Sequence, residues 1–298
     1  MNDLKIGSRT FAWGARTYVM GILNITPDSF SGDGLAASGD SVTNALAQAR
    51  RFAAAGADIL DVGGESTRPG SQPVNAAKEQ ARVLPVIEAL VAELDLPISI
   101  DTYKAEVAAA ALDAGAALVN DVWALRADPG QAPLVAERGV PIILMHNRSN
   151  PANAELREAL GGRYVGVEYA DLIEDIKREL MESAAIAERA GVPHQHIILD
   201  PGIGFGKTVE QNLELLNRCG EVRDLGYPLL VGPSRKSFIG YTLDLPPDQR
   251  LEGTAAAVAI AIARGADLVR VHDVEHMARV VKMTDAMVRG KSKAGVEK

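Results

Sequence analysis

The sequence has 298 residues, of which 47% are hydrophobic and only 4% aromatic, so it is long enough to bury one large core. Its formal net charge of −8 argues against a surface for nucleic acid or anionic membrane, and no apolar run approaches the roughly 20 residues of a membrane span. Because the amino terminus lacks a signal-peptide core and Cys219 is the only cysteine, we expect a cytoplasmic protein without internal disulfides.

Eight apolar runs follow one another along the chain and predict eight strands. Three of them come after an alanine-rich helical stretch and a glycine, in the phrases A-G-A-D-I-L-D-V, A-G-A-A-L-V-N-D-V and R-G-A-D-L-V-R-V. Glycine commonly ends a helix, so each phrase predicts a helix, a stop and a strand. The predicted strands are residues 18–23, 58–62, 97–100, 118–120, 141–145, 196–199, 228–231 and 267–271.

Amphipathic helical stretches lie between these strands, for example at 41–55, 76–94, 104–114 and 165–190. Alternating strands and helices with right-handed crossovers form parallel sheets. Eight such units indicate an α/β fold, a single (β/α)8 TIM barrel with a short N-terminal extension. We expect one domain, in which residues 1–17 form a hairpin or lid over the barrel floor, 18–289 the barrel and 290–298 a tail. An open doubly wound sheet is the alternative.

Polar side chains stand where the predicted strands end. In a barrel the carboxyl ends of all strands meet on one face, which is where the active site lies. This arrangement therefore predicts a ring of functional groups at one end of the barrel. Its members are Asn24, Asp101, Asn120, Asp121, His146, Asn147, Asp200, Arg270 and His272, with the segments G-G-E-S-T-R-P-G (63–70) and P-S-R-K-S (233–237).

Part of this ring suits a flat heterocycle. Asp101, Asn120 and Asp200 supply hydrogen-bond acceptors and an amide, and a carboxylate takes two parallel hydrogen bonds from an edge such as that of a 2-amino-4-oxo ring. Lys236 is placed to meet a ring carbonyl or nitrogen. We therefore expect these residues to bind a pterin or guanine.

The remaining cations indicate a phosphate or pyrophosphate site. Arg68, Arg270 and His272, with Thr67, are the donors that recognise phosphate oxygens. Asn24 is a neutral oxygen ligand, and Mg²⁺ bridging it to phosphate fits the small number of protein ligands that this ion takes. No His/Cys cluster has the spacing of a zinc site.

The glycine-rich stretch L-D-P-G-I-G-F-G-K (199–207) follows the sixth strand. It misses both the P-loop and the dinucleotide-binding fingerprint by one residue, so neither reading is retained. Gly202, Gly204 and Gly206 are expected to let the loop pass close to a flat ring, and Lys207 to be a supporting residue.

Eight motifs together resemble the dihydropteroate synthase family over nearly the whole chain. They are M-G-I-L-N-I-T-P-D-S-F-S (20–31), D-V-G-G-E-S-T-R-P-G (61–70), S-I-D-T-Y-K (99–104), V-N-D-V (119–122), L-D-P-G-I-G-F-G-K (199–207), S-R-K-S-F-I-G (234–240), E-G-T-A-A-A-V-A (252–259) and R-V-H-D-V (270–274). The family fold is the same barrel.

The resemblance implies that 6-hydroxymethyl-7,8-dihydropterin pyrophosphate and 4-aminobenzoate are condensed to 7,8-dihydropteroate and pyrophosphate, with Mg²⁺ and as a homodimer. It implies that Asp101, Asn120, Asp200 and Lys236 hold the pterin, that Asn24 binds Mg²⁺ and that Thr67, Arg68, Arg270 and His272 hold the pyrophosphate. It further implies an aminobenzoate pocket, the site of sulfonamides in the family. The residues bordering that pocket are Phe205, Pro233, Ser234 and Arg235.

The chain departs from the family pattern in two places. The first loop reads S-F-S-G-D-G where the family commonly has S-F-S-D-G-G, so a role for Asp33 transfers with a shift of one residue. The segment after His146 lacks the Met-Gln pattern often found there, and no role is transferred to it. The loops after the first two strands are expected to close over the site and exclude water.

Three other functions share some of these features. A methyltetrahydrofolate methyltransferase domain would share the barrel and the pterin acids, but Arg68, Arg270 and His272 speak against it because its substrate has no pyrophosphate. A Schiff-base aldolase using Lys236 lacks an evident acid or base beside that lysine. A non-catalytic pterin-binding module would have no use for the magnesium and phosphate residues.

Overall fold

The computed structural model describes residues 3–26, 41–67, 71–157 and 159–290. Within them the strands are β1 Leu4–Ile6, β2 Arg9–Phe11, β3 Tyr18–Asn24, β4 Ile59–Gly63, β5 Ile98–Asp101, β6 Leu118–Asp121, β7 Ile142–Met145, β8 Ala154–Arg157, β9 Gly161–Tyr164, β10 Ile197–Asp200, β11 Leu230–Val231 and β12 Leu268–Val271. The helices are α1 Ser41–Ala55, α2 Ala76–Glu93, α3 Ala105–Asp113, α4 Gln131–Arg138, α5 Leu172–Arg189, α6 Val209–Arg218, α7 Gly220–Arg223, α8 Ser237–Leu243, α9 Leu251–Ala263 and α10 Val274–Val288.

Eight parallel strands form the barrel, in the order β10-β7-β6-β5-β4-β3-β12-β11. A parallel bridge between Leu199 and Leu229 joins the first and last of them. All eight predicted strands are confirmed, and the open doubly wound sheet is excluded because the two edges meet. The barrel strands are largely buried on both faces, because one face lines the barrel interior and the other is covered by helices. Continuous apolar runs are typical of such parallel strands.

The amino ends of the barrel strands, here called the floor, are closed by the antiparallel hairpin of β1 and β2. Leu4, Ile6 and Phe11 of this hairpin pack against an inner layer of apolar side chains, one or two from each of seven barrel strands. The predicted lid over the floor is confirmed. The inner layer consists of Tyr18, Met20, Ile59, Leu118, Ile143, Ile198, Leu230 and Leu268.

One helical prediction needs correction. The helix predicted at 165–190 begins only at Leu172, because the Asp171 side chain accepts hydrogen bonds from the backbone N–H groups of Ile173 and Glu174 and so caps the helix there. Helix α4 and the hairpin of β8 and β9 were not predicted. The hairpin follows β7 at the opposite end of the barrel from the floor, and the Tyr241 hydroxyl of α8 donates to the Gly161 carbonyl at the start of β9.

Among the described helices, none is both long and apolar enough to cross a membrane.

Candidate active site

The side-chain alternation of the barrel strands determines which polar residues face its interior. Successive residues of a strand point to opposite faces, so the residue two positions after each inner-layer residue also points inward. At the carboxyl ends of the strands, here called the mouth, this rule places polar groups directly above the apolar layer. They are Asp61 above Ile59, Asn120 above Leu118, Asp200 above Ile198 and Arg270 above Leu268.

Arg270 joins three of these strands at the mouth. Its Nε donates to Asp61 Oδ2 at 2.6 Å, and its Nη2 donates to Asp101 Oδ2 at 2.7 Å. Asn120 Nδ2 donates to the same Asp61 oxygen at 3.0 Å. Asp101, Asn120 and Arg270 therefore lie together, and the arginine predicted for pyrophosphate lies within the group predicted for the pterin. These two contacts do not use the Nη1 atom of Arg270, which carries two further N–H donors.

Asp61 is a site residue that the sequence analysis missed. It is fully buried, and its Oδ1 atom has no hydrogen-bond partner among the described residues. A buried carboxylate oxygen in this position is costly unless a further donor approaches it. The signal was present in the sequence, since an aspartate interrupts the apolar run Ile-Leu-Asp-Val two positions after an inward-facing isoleucine.

The mouth holds charges in a buried setting, and burial shifts their pKa values. Burial raises the pKa of Asp101 to about 7, although the nearby Arg270 acts to lower it. Burial also raises the pKa of Asp200, against the effect of Lys236. Burial lowers the pKa of Lys236 to about 8, against the effect of Asp200. Such opposed shifts within one cleft are typical of a binding or catalytic site.

Asp200 and Lys236 meet across the glycine loop 201–207. The Gly202 N–H donates to Asp200 Oδ1 at 2.7 Å, and Lys236 Nζ donates to the Ile203 carbonyl. Lys236 Nζ also lies 4.6 Å from the centre of the Phe205 ring, within the range of a cation–π contact. The loop therefore brings Asp200, Phe205 and Lys236 close to one another.

The segment after β11 carries the other predicted pocket residues. Pro233 and Ser234 are buried, and the Ser234 hydroxyl oxygen lies 3.2 Å from the His272 backbone nitrogen and 3.1 Å from its Nδ1. Arg235 has a positive φ of 55° and forms an ion pair with Asp273. Its carbonyl accepts from Arg250 Nη1 at 2.9 Å, so a buried guanidinium fixes the backbone immediately before Lys236.

The structure shows fewer contacts for the residues predicted to bind phosphate and metal than for those predicted to bind the pterin. Asn24 is half-buried at the end of β3, opposite Gly63 of β4, from which the loop bearing Thr67 departs. Thr67 lines a cavity of about 180 Å³ together with Tyr103, Trp123 and other residues of the neighbouring loops. No hydrogen bond joins Thr67 to Arg270 within the described ranges. Arg68 and Asp33 lie outside those ranges.

Two members of the predicted ring, Asp121 and His146, have their side-chain partners outside the barrel interior, and a third, Asn147, lines the same cavity as Thr67. Asp121 caps the following turn by accepting from the N–H groups of Trp123 and Leu125, because it is the outward neighbour of Asn120. His146 contacts Lys207 and Glu179, and Asn147 donates to the Val122 carbonyl. The strand end alone does not distinguish inward from outward side chains.

The glycines of the loop are needed for a different contact from the one expected. A Cβ atom on Gly202 would lie 1.8 Å from the His146 carbonyl oxygen, and one on Gly206 would lie 2.2 Å from the Arg148 carbonyl carbon. Both glycines also have positive φ, at 71° and 61°. The close approach is therefore to the chain segment that follows β7, and Gly204 alone faces Lys236.

Comparison with known proteins agrees with this geometry. Residues 20–272 match the family of pterin binding enzymes. The dihydropteroate synthase of Clostridium beijerinckii is 49% identical over 287 residues, which make up 96% of this chain and 100% of that protein. A structure of the Xanthomonas albilineans dihydropteroate synthase with 4-aminobenzoic acid has a TM-score of 0.84 at 42% identity, covering 96% of this chain and 97% of the other.

A second structure of the Xanthomonas albilineans enzyme, in complex with 7,8-dihydropteroate, has a TM-score of 0.82 at 39% identity and covers 96% of this chain and 98% of the other. Similarity extends over the whole barrel and over the strand ends that carry the site. The chain therefore belongs to the pterin binding enzymes and, among them, to the dihydropteroate synthases.

Proposed function

We propose that the mouth of this barrel binds 6-hydroxymethyl-7,8-dihydropterin pyrophosphate and 4-aminobenzoate and condenses them to 7,8-dihydropteroate and pyrophosphate. The observation that carries this proposal is the inward-facing group of Asp61, Asp101, Asn120, Asp200 and Arg270 in one layer above the apolar interior. Membership of the dihydropteroate synthases supports it over the methyltransferase alternative.

The pterin is recognised by its donor and acceptor edge. Asp200 is buried, and among the described residues it accepts a hydrogen bond from the Gly202 N–H on Oδ1, so its carboxylate retains lone pairs for the amino and ring N–H groups of the pterin. Asn120 supplies a carbonyl oxygen and a second amide hydrogen from the neighbouring inward position. Lys236 donates to the acceptor side of the ring from across the glycine loop.

The second substrate lies against Phe205 and the segment of Pro233, Ser234 and Arg235. The aromatic ring of aminobenzoate packs on the half-buried Phe205 side chain. Its carboxylate accepts hydrogen bonds from the Ser234–Arg235 region. This arrangement directs the aniline nitrogen toward the pterin, which lies between Asp200 and Lys236.

The leaving pyrophosphate is held by the remaining donors of Arg270 and by His272, Thr67 and Arg68. Asn24 is the one protein ligand assigned to Mg²⁺. A site with one protein ligand would be completed by substrate oxygens and water, as is usual for Mg²⁺. When bound, Mg²⁺ supplies positive charge to the pyrophosphate oxygens.

The reaction exchanges one bond at the methylene carbon. The C–O bond to pyrophosphate breaks with its electron pair on oxygen, the electron-rich dihydropterin stabilises the positive charge left on carbon, and the aniline lone pair forms the C–N bond. One N–H proton leaves the amine for pyrophosphate or water. The protein orients both substrates and stabilises the departing charge, and no protein nucleophile is required.

The direct test is incubation of the protein with the dihydropterin pyrophosphate, 4-aminobenzoate and Mg²⁺ while pyrophosphate release is followed. We expect release to depend on both aminobenzoate and Mg²⁺ and to match the formation of dihydropteroate. Equal release without aminobenzoate would contradict the synthase function, and release insensitive to chelation would contradict the role of Mg²⁺.

We further propose a cytoplasmic homodimer that forms through the last two helices. Helices α9 and α10 pack against each other and expose large apolar side chains, namely Ile260, Met283, Met287 and Val288. Exposed apolar groups on adjacent helices are typical of an interface. Light scattering of the purified protein should give twice the monomer mass, and Met283→Glu should convert it to the monomer.

A further inference from the structure

Lys207 is a buried lysine behind the substrate site. Only 1% of it is exposed, and its Nζ contacts His146, whereas Lys236 Nζ contacts the Ile203 carbonyl and the Phe205 ring. Its Nζ atom is 2.9 Å from the Gly202 carbonyl, 3.0 Å from the Phe205 carbonyl and 3.0 Å from His146 Nδ1. An ammonium group has three donors and no acceptor, so these contacts use all of them.

His146 connects this lysine to a carboxylate. Burial, together with the nearby Lys207, lowers the pKa of His146 to about 3, so its ring is neutral. A neutral ring that accepts from Lys207 at Nδ1 carries its hydrogen on Nε2, which lies 3.1 Å from Glu179 Oε2. The three side chains thus form a directed chain of hydrogen bonds from an ammonium to a carboxylate.

Glu179 anchors this chain to α5. Burial acts to raise its pKa, but hydrogen bonds from His146 and Arg148 hold the pKa below its usual range. Arg148 Nε donates to Glu179 Oε1 at 3.0 Å, and the guanidinium also stacks on Tyr169 at 4.2 Å from the ring centre. The anchor is therefore a charged group held by several partners.

The same loop carries the substrate groups on its other side. Asp200 precedes it, Phe205 lies within it, and the Ile203 carbonyl accepts from Lys236. The backbone N–H of His146 donates to the Asp200 carbonyl at 2.9 Å. The loop is thus held by Lys207 at the Gly202 and Phe205 carbonyls and by Lys236 at the Ile203 carbonyl between them.

We propose that the chain Lys207–His146–Glu179 positions the glycine loop for catalysis, and that Lys207 is a positioning residue of the synthase reaction. It acts by fixing the Gly202 and Phe205 carbonyls, and through them the Asp200 carboxylate and the Phe205 ring. This inference rests on the proposed function, because it assigns the two sides of the loop to the two substrates.

Lys207 also belongs to the charges around Asp200. Asp200 faces the cations Lys236, Lys207 and Arg270, which oppose the rise of its pKa on burial. Lys207 itself faces Asp200, Glu179, Lys236 and Arg148, and burial lowers its pKa. Removing Lys207 takes one cation from Asp200, so the carboxylate that accepts from the pterin becomes protonated at a higher pH.

The test is Lys207→Met, which keeps the length of the side chain but removes its charge and donors. We expect kcat/KM for the dihydropterin substrate to fall about 10²-fold, the loss that a misplacement of about 1 Å produces. We also expect the acid limb of the pH profile of kcat/KM to move to higher pH. Glu179→Gln, which removes the anchoring charge but keeps the cations around Asp200, should lower kcat/KM by a smaller factor.

Arg223→Met is the matched control. It breaks a comparable ion pair, from Arg223 Nε to the fully buried Asp267 at 2.6 Å, but at the floor of the barrel. It should lower Tm while leaving kcat/KM and the pH profile unchanged. The inference is overturned if Lys207→Met, or Glu179→Gln where the first variant does not fold, lowers Tm as Arg223→Met does and keeps the wild-type kcat/KM and acid limb. Failure of the wild-type protein to require aminobenzoate would instead contradict the proposed function.

Discussion

The floor and the mouth of the barrel are two ends of the same eight strands, yet they use buried charge in opposite ways. At the floor, Asp267 accepts from Arg223 and from the Gly14 and Leu229 backbone N–H groups, and Asp58 pairs with Arg16 and accepts from the Val19 N–H. Each carboxylate there fastens one chain segment to another.

At the mouth the carboxylates and cations are shared rather than paired. One oxygen of Asp61 serves both Arg270 and Asn120 while the other has no partner in the described chain, and burial shifts the pKa values of Asp101, Asp200 and Lys236. Charges held this way cost folding free energy that a bound substrate offsets. The comparison teaches that floor charges maintain the fold and mouth charges maintain the site.

The largest expected effect comes from substitutions at the mouth, which should abolish activity without lowering the stability that the floor provides. Asp200→Asn or Lys236→Ala should lower kcat/KM about 10³-fold or more, because each removes charge-assisted hydrogen bonds to the pterin. Pyrophosphate release measures the loss, and thermal unfolding should show a folded protein of near wild-type Tm. Activity within tenfold of wild type would contradict the assignment of these residues.

The second effect comes from a substitution at the floor, which should lower stability without changing the kinetic constants of the mouth. Asp267→Asn should lower the free energy of unfolding by about 3 kcal/mol, since it leaves the Arg223 guanidinium without its buried partner. Urea unfolding measures this change. Kinetic constants taken at a temperature where the variant is folded should equal those of the wild type, and a parallel fall in kcat/KM would show that the two ends are not independent.

A third variant tests a residue that serves both purposes. Arg250 is 2% exposed and donates to the carbonyls of Arg235, Leu160 and Leu245, so it ties the pocket segment to the hairpin of β8 and β9 and to the end of α8. Arg250→Met should raise KM for aminobenzoate about tenfold, through movement of Arg235, and should also lower Tm. Steady-state kinetics with each substrate varied in turn would show whether the rise is confined to aminobenzoate, and an equal rise for both substrates would count against this reading.

The smallest effect concerns the pH dependence of stability. Because the pKa of Asp101 is raised to about 7, the folded protein binds more protons than the unfolded chain between the usual aspartate pKa and pH 7. The stability that Asp101 contributes is therefore present at acidic pH and lost as pH rises through about 7. Asp101→Asn removes this dependence.

The free energy of unfolding of Asp101→Asn relative to wild type should accordingly increase by on the order of 1–2 kcal/mol between pH 5 and pH 8. Urea unfolding at intervals of one pH unit measures the difference. A constant difference between Asp101→Asn and wild type would contradict the raised pKa.

Much of the fold was predictable because strands and helices have local signals. All eight barrel strands were identified from apolar runs, three of them after glycine stops, and α1 was predicted with the observed bounds. The start of α5 was misplaced because Asp171 caps it, and a cap is a weak signal within a polar segment. The hairpin of β8 and β9 was missed because its strands are short and mostly exposed, so they show no apolar run.

The candidate site was predictable only as far as its strand ends. Asp101, Asn120 and Asp200 were found there. Asp61 was missed because it lies within its strand, two residues before the end of β4. The sequence analysis placed His146 among the functional groups at the strand ends. In the structure its imidazole contacts Glu179, which lies 33 positions away on α5. No local pattern reports such a partner.

The sequence by itself determined the order of strands and helices, the inward layer of apolar residues and the polar groups that follow it, since these depend on periods of two and 3.6 residues. Only the tertiary structure decided the partners of those groups. Arg270 lies 209 positions from Asp61 and 169 from Asp101, and Lys207 lies 61 positions from His146. Closure of the barrel brings such residues together. Their burial then shifts the pKa values of Asp101, Asp200, Lys207 and Lys236. The contacts of the two lysines hold the glycine loop between them.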